Sequence, residues 1–251
     1  MISLDRALDR LIHDRAYRSA FIQGNFAALD LSAAELHELS TIDPRALCRL
    51  SERVARETLA RKHAGSGSLL ELYPNTIAAW RQRDLQADWQ LALGIAFLES
   101  GPFGACREVF GAGESTALEH AFYDFAEALD LATPEIREHE FLAAMMKLYL
   151  ANPRAALLLP EHLRRLPGGV YALTRRSPLM LYAAVAGRFI RGPVTPFLAD
   201  LIGALPSSGP SVPVKLAAVA LRHGVPRQVL EQALAQLSAL GLVPDSGNER
   251  T

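Results

Sequence analysis

Up to Leu150 the apolar residues recur every three to four positions, the spacing of one buried helix face. Leu4, Leu8, Leu11 and Ile12 form the first such stripe, with Asp5, Asp9 and Arg10 on the other side. Ser32-Ala-Ala-Glu35 has the spacing of a capping box and predicts a short helix to about Leu39. Asp43-Pro44 predicts the next start, and Leu47, Leu50, Val54 and Leu59 its stripe, ending near His63 before the connector Gly65-Ser-Gly67-Ser. Pro74 interrupts the following segment, and Asn75 is expected to cap a fresh start at Thr76. Leu85, Trp89, Leu93 and Ala96 share a face of a helix expected to stop at Ser100-Gly101-Pro102. Further helices are expected from Ser115 to Asp130 and from Thr133-Pro134-Glu135 to about Leu150, where Asn152-Pro153 stops the run.

The pattern then changes. Pro160 and Pro167-Gly168 bracket a connector, which places a domain boundary there. Val170–Thr174 and Leu179–Ala184 have strand composition and length, with Arg175-Arg-Ser-Pro178 as the turn between them, and Gly187-Arg188 leads into a third short strand, Phe189–Arg191. Three helices follow: one capped by Thr195-Pro196, one over Val212–His223, and one from Pro226 to Leu240 closed by Gly241. The expected fold is mostly α. A helical domain over 1–160 precedes a small α+β, winged-helix-like module over 168–244, with three short strands and three helices, and a polar tail over 245–251.

Half of the 251 residues are hydrophobic, enough for a sizeable core, and aromatics are only 7% while Leu and Ala dominate, which favours helix packing. A formal net charge of -1 exerts no global pull on nucleic acid or acidic lipid. The only cysteines, Cys48 and Cys106, sit in apolar helical patterns without CxxC spacing and read as free thiols in a reducing cytoplasm. The charged N-terminus lacks the apolar core of a signal peptide, and no apolar run has the length of a membrane span. A soluble protein is expected, without a membrane partner.

Candidate chemistry is sparse. His120 and Asp124 stand at i and i+4, near Glu119, Glu127, Glu138, His139 and Glu140, so they could share an ion. Neither H-E-x-x-H nor E-x-x-H occurs, and acidic residues on a helix exterior are ordinarily just solvated. A G-x-S-x-G elbow is absent, and Gly65-Ser-Gly67 and Gly111-Ala-Gly113 lack the context of a phosphate cradle. The expectation is therefore no catalytic residue, no metal ligand and no cofactor in this chain. Arg175-Arg176 and the pair Arg188 and Arg191 flank the strands, either as turn solubility or as a guide for an acidic peptide or phosphate. The last two helices have the size of a helix-turn-helix, but the final one carries a single arginine, Arg227, beside Glu231, too little charge for tight DNA binding. An extended peptide added to a sheet edge suits such a surface better, and a dimerisation or domain-packing face suits it nearly as well.

Strands at Val170–Thr174 and Leu179–Ala184, three helices and the closing Leu240-Gly-Leu-Val243 resemble the recognition element that binds leader peptides in ribosomal peptide maturation. The helical front, with Tyr17-Arg-Ser-Ala-Phe21 and Leu29-Asp-Leu-Ser-Ala-Ala-Glu35, is similar to the partner subunits of multinuclear non-haem iron oxidases of the methanobactin and thiaglutamate type. The stretch Phe21–Glu35 also resembles the small helical subunit of some ring-opening dioxygenases. The resemblance implies a non-catalytic partner that binds a precursor peptide and presents it to a separate iron-holding oxidase for cysteine modification. The expected peptide-binding residues are Arg188, Phe189, Ile190 and Arg191 on the strand edge and Leu230, Leu234 and Leu237 on the last helix. The alternative is a winged-helix DNA-binding regulator with a helical sensor domain.

Overall fold

Helix starts in the front of the chain follow from short polar side chains. Ser3, Asp14, Ser32, Asp43, Ser68 and Asp88 each accept a hydrogen bond from a backbone N–H of the turn that follows. The computed structural model describes residues 3–62, 67–84, 86–110, 117–152, 163–166, 169–205 and 212–243, with backbone alone for 107–110 and 212–214. In chain order the front helices are α1 (Leu4–His13), α2 (Arg15–Ile22), α3 (Ala33–Leu39), α4 (Pro44–Ala60), α5 (Leu69–Leu72), α6 (Pro74–Arg83), α7 (Trp89–Leu98), α8 (Gly101–Phe110), α9 (Leu118–Ala128) and α10 (Pro134–Ala151). The Ser32–Glu35 capping box is present in full, and a second one, Ser68–Glu71, opens α5.

Two starts differ from the expectation. Tyr73, not Asn75, occupies the N-cap of α6, because Pro74 itself is the first helical residue and needs no N–H partner there. α7 stops at Leu98, just before Ser100-Gly101-Pro102 as expected, but Gly101-Pro102 also begins α8, a helix not expected there; the Ser100 hydroxyl accepts from the Phe103 N–H at 3.3 Å. The chain forms two compact units that divide between Arg137 and Glu138, inside α10. The boundary expected at residues 160–168 lies outside the described residues, apart from Leu163–Leu166.

Apolar residues of the first unit gather in one centre near its start and in another around Phe97. Ala7, Leu11, Tyr17, Phe21, Leu29, Leu39 and Leu47 form one, and the Tyr17 hydroxyl donates to the Leu29 carbonyl at 3.0 Å, tying in the 3-10 turn Phe26–Leu29. The other is aromatic: the Phe97 ring lies 5.2 Å from Phe122 and 5.3 Å from both Phe103 and Phe125. Arg137 is buried and donates to the carbonyls of Leu131 and Ala132 and to the Asp130 carboxylate, holding a turn in which Asp130 and Ala132 both take positive φ.

The second unit contains the rest of α10, a sheet, and helices α11 (Pro196–Ala204), α12 (Val212–Arg222) and α13 (Arg227–Ala239). The sheet has four strands where three were expected: β1 (Arg164–Leu166), β2 (Gly169–Leu173), β3 (Met180–Val185) and β4 (Arg188–Pro193). They run as an antiparallel meander in the order β1-β2-β3-β4. The extra strand carries two exposed arginines and one leucine, so composition gave it no strand signature; pairing with β2 makes it one. Thr174 organises the β2–β3 turn, its hydroxyl accepting from the Met180 N–H at 2.9 Å. The β3–β4 turn is the two-residue type favoured by sheet twist, with Ala186 at φ 51° and Gly187 at φ 73°.

Alternation sorts the side chains onto two faces. Tyr171, Leu181, Ala183, Val185 and Ile190 point to one and join Leu201, Ile202, Leu205, Leu216, Val219, Leu237 and Leu242 in a single apolar cluster with α11, α12 and α13. The Tyr171 hydroxyl donates to the Ile202 carbonyl at 3.1 Å. Val170, Ala172, Tyr182 and Ala184 point to the other face and are buried as well. There the His139 ring of α10 meets Tyr182. Among the described residues no helix is long and apolar enough to cross a membrane.

Candidate functional site

Strand order makes β4 an edge: among the described residues only β3 pairs with it. The register fixes which of its backbone groups point outward. The two-residue turn makes Val185 and Arg188 a hydrogen-bonded pair, and such pairs alternate along an antiparallel ladder. The Val194 N–H donates to the Leu179 carbonyl at 2.9 Å, which continues the same alternation past the strand end. Arg188, Ile190 and Gly192 therefore bond to β3, whereas the N–H and C=O of Phe189 and Arg191 face outward. Pro193 follows and has no N–H.

The seven expected site residues fall into two groups. Arg188, Phe189 and Arg191 are exposed on the β4 edge, Phe189 at 40%, and Ile190 is half-buried. Leu230, Leu234 and Leu237 form one stripe of α13. The first two are half-buried, Leu237 is 2% exposed, and all three join the cluster to which Ile190 belongs. Leu237 thus supports the surface rather than lining it.

Three neighbours of this edge carry no motif. Tyr182, fully buried, stands opposite Arg191 in the register, and the Arg191 guanidinium lies 5.4 Å from the centre of its ring. Its hydroxyl is 2.6 Å from His139 Nδ1. Burial pushes the Tyr182 hydroxyl above the usual phenol range, against the pull of the Arg191 charge. Glu138, beside His139, accepts from the Arg175 N–H at 2.8 Å.

Charge is distributed unevenly, and the whole-chain value conceals it. Residues 163–243 hold nine Lys and Arg against two Asp and Glu, a net +7, which leaves -8 for the remainder of a chain at -1. Both acids of the segment are already engaged on the helices, Asp200 with Arg222 at 3.3 Å and His223 at 2.9 Å, and Glu231 with Arg227 at 2.8 Å. Counting charges segment by segment, rather than over the chain, finds this from sequence.

Elsewhere the chemistry is thin. His120 and Asp124 meet at 3.6 Å, and among the described residues no group of three or more His, Cys, Asp or Glu is placed to hold a metal. In the first unit, His13, Asp14, Arg15, Ser19, Glu99 and Ser100 line an open depression of about 620 Å³. Its walls come from residues far apart in sequence, so no local spacing announces it. Neither cysteine is in a disulfide; Cys48 is half-buried and Cys106 buried. Burial, helped by the Glu119 charge, pushes the Cys106 thiol up to about 11. Since the thiolate is the nucleophile, a disulfide reagent at neutral pH should titrate one thiol in the native protein, Cys48, and the second only after denaturant is added. Rapid labelling of Cys106 in the folded state would contradict its burial.

Compared with family models, with curated proteins and with solved structures, the chain finds no match in any of the three.

Proposed function

We propose that this chain is a peptide-binding partner subunit acting in the cytoplasm. It takes up a ribosomally made precursor peptide as an added strand on β4 and presents it to a separate multinuclear non-haem iron oxidase, which modifies a cysteine. The iron belongs to that oxidase; this chain binds and positions. The observation that carries the reading is the outer edge of β4, where the backbone groups of Phe189 and Arg191 face outward next to an apolar cluster that includes Leu230 and Leu234. Main-chain hydrogen bonds supply affinity in strand addition, and flanking apolar side chains supply fit. The order of strands followed by three helices supports a winged-helix-like module, and the sequence resemblance supports the oxidase as partner.

The basic excess of residues 163–243 favours a second reading, a winged-helix DNA-binding regulator. It ranks lower because the one arginine of α13, Arg227, is tied to Glu231 and the other charges lie mainly on strand ends and turns.

The test of the first reading is hydrogen exchange at the edge. The probe is the peptide from a short, cysteine-ending reading frame neighbouring the gene for this chain. The Phe189 and Arg191 amides should exchange quickly in the free protein and slow by about tenfold or more on adding peptide. Slowing elsewhere with these two amides unchanged would rule the β4 edge out.

A further inference from the structure

We propose that Arg191 makes the β4 edge selective for acidic peptides, reading a carboxylate side chain that stands two residues from an apolar one. The inference rests on the strand-addition reading and deepens it.

Three observations carry it. The first is charge. Residues 163–243 are at +7 while the chain is at -1; their two carboxylates are held by Arg222, His223 and Arg227 on the helices, and Glu138 of α10 accepts from the Arg175 N–H. Arg188 and Arg191 have no carboxylate partner among the described residues. The second is preorganisation. The Arg191 guanidinium lies 5.4 Å from the ring centre of Tyr182, which is fully buried and anchored to His139, so the ring draws the charge to the edge before any guest arrives. A planar guanidinium already drawn to a ring loses less freedom on pairing with a carboxylate. The third is register. Phe189 and Arg191 lie on the same face, two residues apart, and Ile190 between them points to the other face with Leu230 and Leu234.

Side chains of an added strand stand directly beside those of the strand it joins, and opposite charges or apolar pairs favour each other there. The guest residue beside Arg191 is therefore Asp or Glu. The one beside Phe189, 40% exposed, is apolar, and so is the one beside Ile190. In three consecutive guest residues the pattern is one acid followed or preceded by two apolar side chains.

The probe is a blocked, fluorescently labelled peptide centred on Glu-Val-Val-Glu, which offers the pattern in either chain direction. It is compared with Gln-Val-Val-Gln and Lys-Val-Val-Lys versions by anisotropy against the full chain at low and high salt. The Glu peptide should bind about fivefold more tightly than the Gln peptide at low salt, the range expected of an exposed ion pair. R191Q should remove that difference, and R191E should favour the Lys peptide. R191Q replaces an exposed side chain, and unchanged circular dichroism checks that it folds. If Glu and Gln peptides bind equally to the wild type and both protect the Phe189 and Arg191 amides, acid selectivity is overturned and strand addition stands. If neither peptide binds and the precursor peptide leaves those amides unprotected, both readings fall together. Displacement of the Glu peptide by a short DNA duplex, with steep salt dependence, would assign the basic surface to nucleic acid and overturn the proposal.

Discussion

Gly169→Ala is expected to destabilise the sheet-bearing unit by about 3 kcal/mol, more than any other single methyl added to the sheet. A Cβ at this position would sit 2.1 Å from the Ala184 carbonyl oxygen and 2.9 Å from the Val185 Cα. Both are backbone atoms of the neighbouring strand, so no side chain can rotate away. β2 would have to part from β3 at the end where Gly169 pairs with Val185, and the Gly169–Leu166 pairing with β1 would shift too. Lost ladder hydrogen bonds, each about 1 kcal/mol net, add to the overpacking. Gly192→Ala in β4 is the matched control, because nothing lies within 4 Å of a Cβ there. Urea denaturation followed by circular dichroism distinguishes the two. Equal midpoints for both variants would show that the β2–β3 approach is looser than described.

Leu234→Asp should reduce peptide affinity about a hundredfold, from unfavourable burial of a carboxylate against an apolar guest. Leu234 is half-buried on α13, in the stripe with Leu230 and above the core leucine Leu237. Because part of its side chain packs on the core, Asp also weakens the module. Leu234→Ala is the milder companion, and should cost affinity while the far-ultraviolet spectrum stays native. Leu221→Asp on α12 replaces an 84% exposed leucine and should leave affinity unchanged. Titration of the precursor peptide against the three variants separates a lost surface from a lost fold. Wild-type affinity in both Leu234 variants would remove α13 from the binding surface.

Local signals in the sequence carried most of the helical layout. Ser32 with Glu35, Asp43-Pro44, Thr133-Pro134 and Thr195-Pro196 each satisfy orphan N–H groups by short-range chemistry, so helices begin where these residues stand. Proline told half of what it does at Gly101-Pro102. It marked the end of α7 at Leu98 but not the start of α8, since a proline in the first helical turn breaks no hydrogen bond. Three strands were legible because β-branched and aromatic residues cluster in short runs; Arg164–Leu166 was not, since only the partner strand makes it one. The edge residues of β4 were legible as a hairpin arm. What supports them was not: His139 reaches Tyr182 across 43 residues of chain, a separation at which no spacing rule operates. The basic bias of residues 163–243 was present in the sequence and hidden by an opposite bias before it.

Proline at position 193 has a consequence for how the molecule behaves in crowded solution. It leaves the open side of β4 only two residues with both a donor and an acceptor to offer. A visitor finds a short berth, long enough to be gripped when its side chains also fit, too short to reward any extended segment that drifts by. Two copies lying flank to flank would meet the same shortage. The protein can therefore keep one margin of its sheet unguarded without inviting runaway stacking.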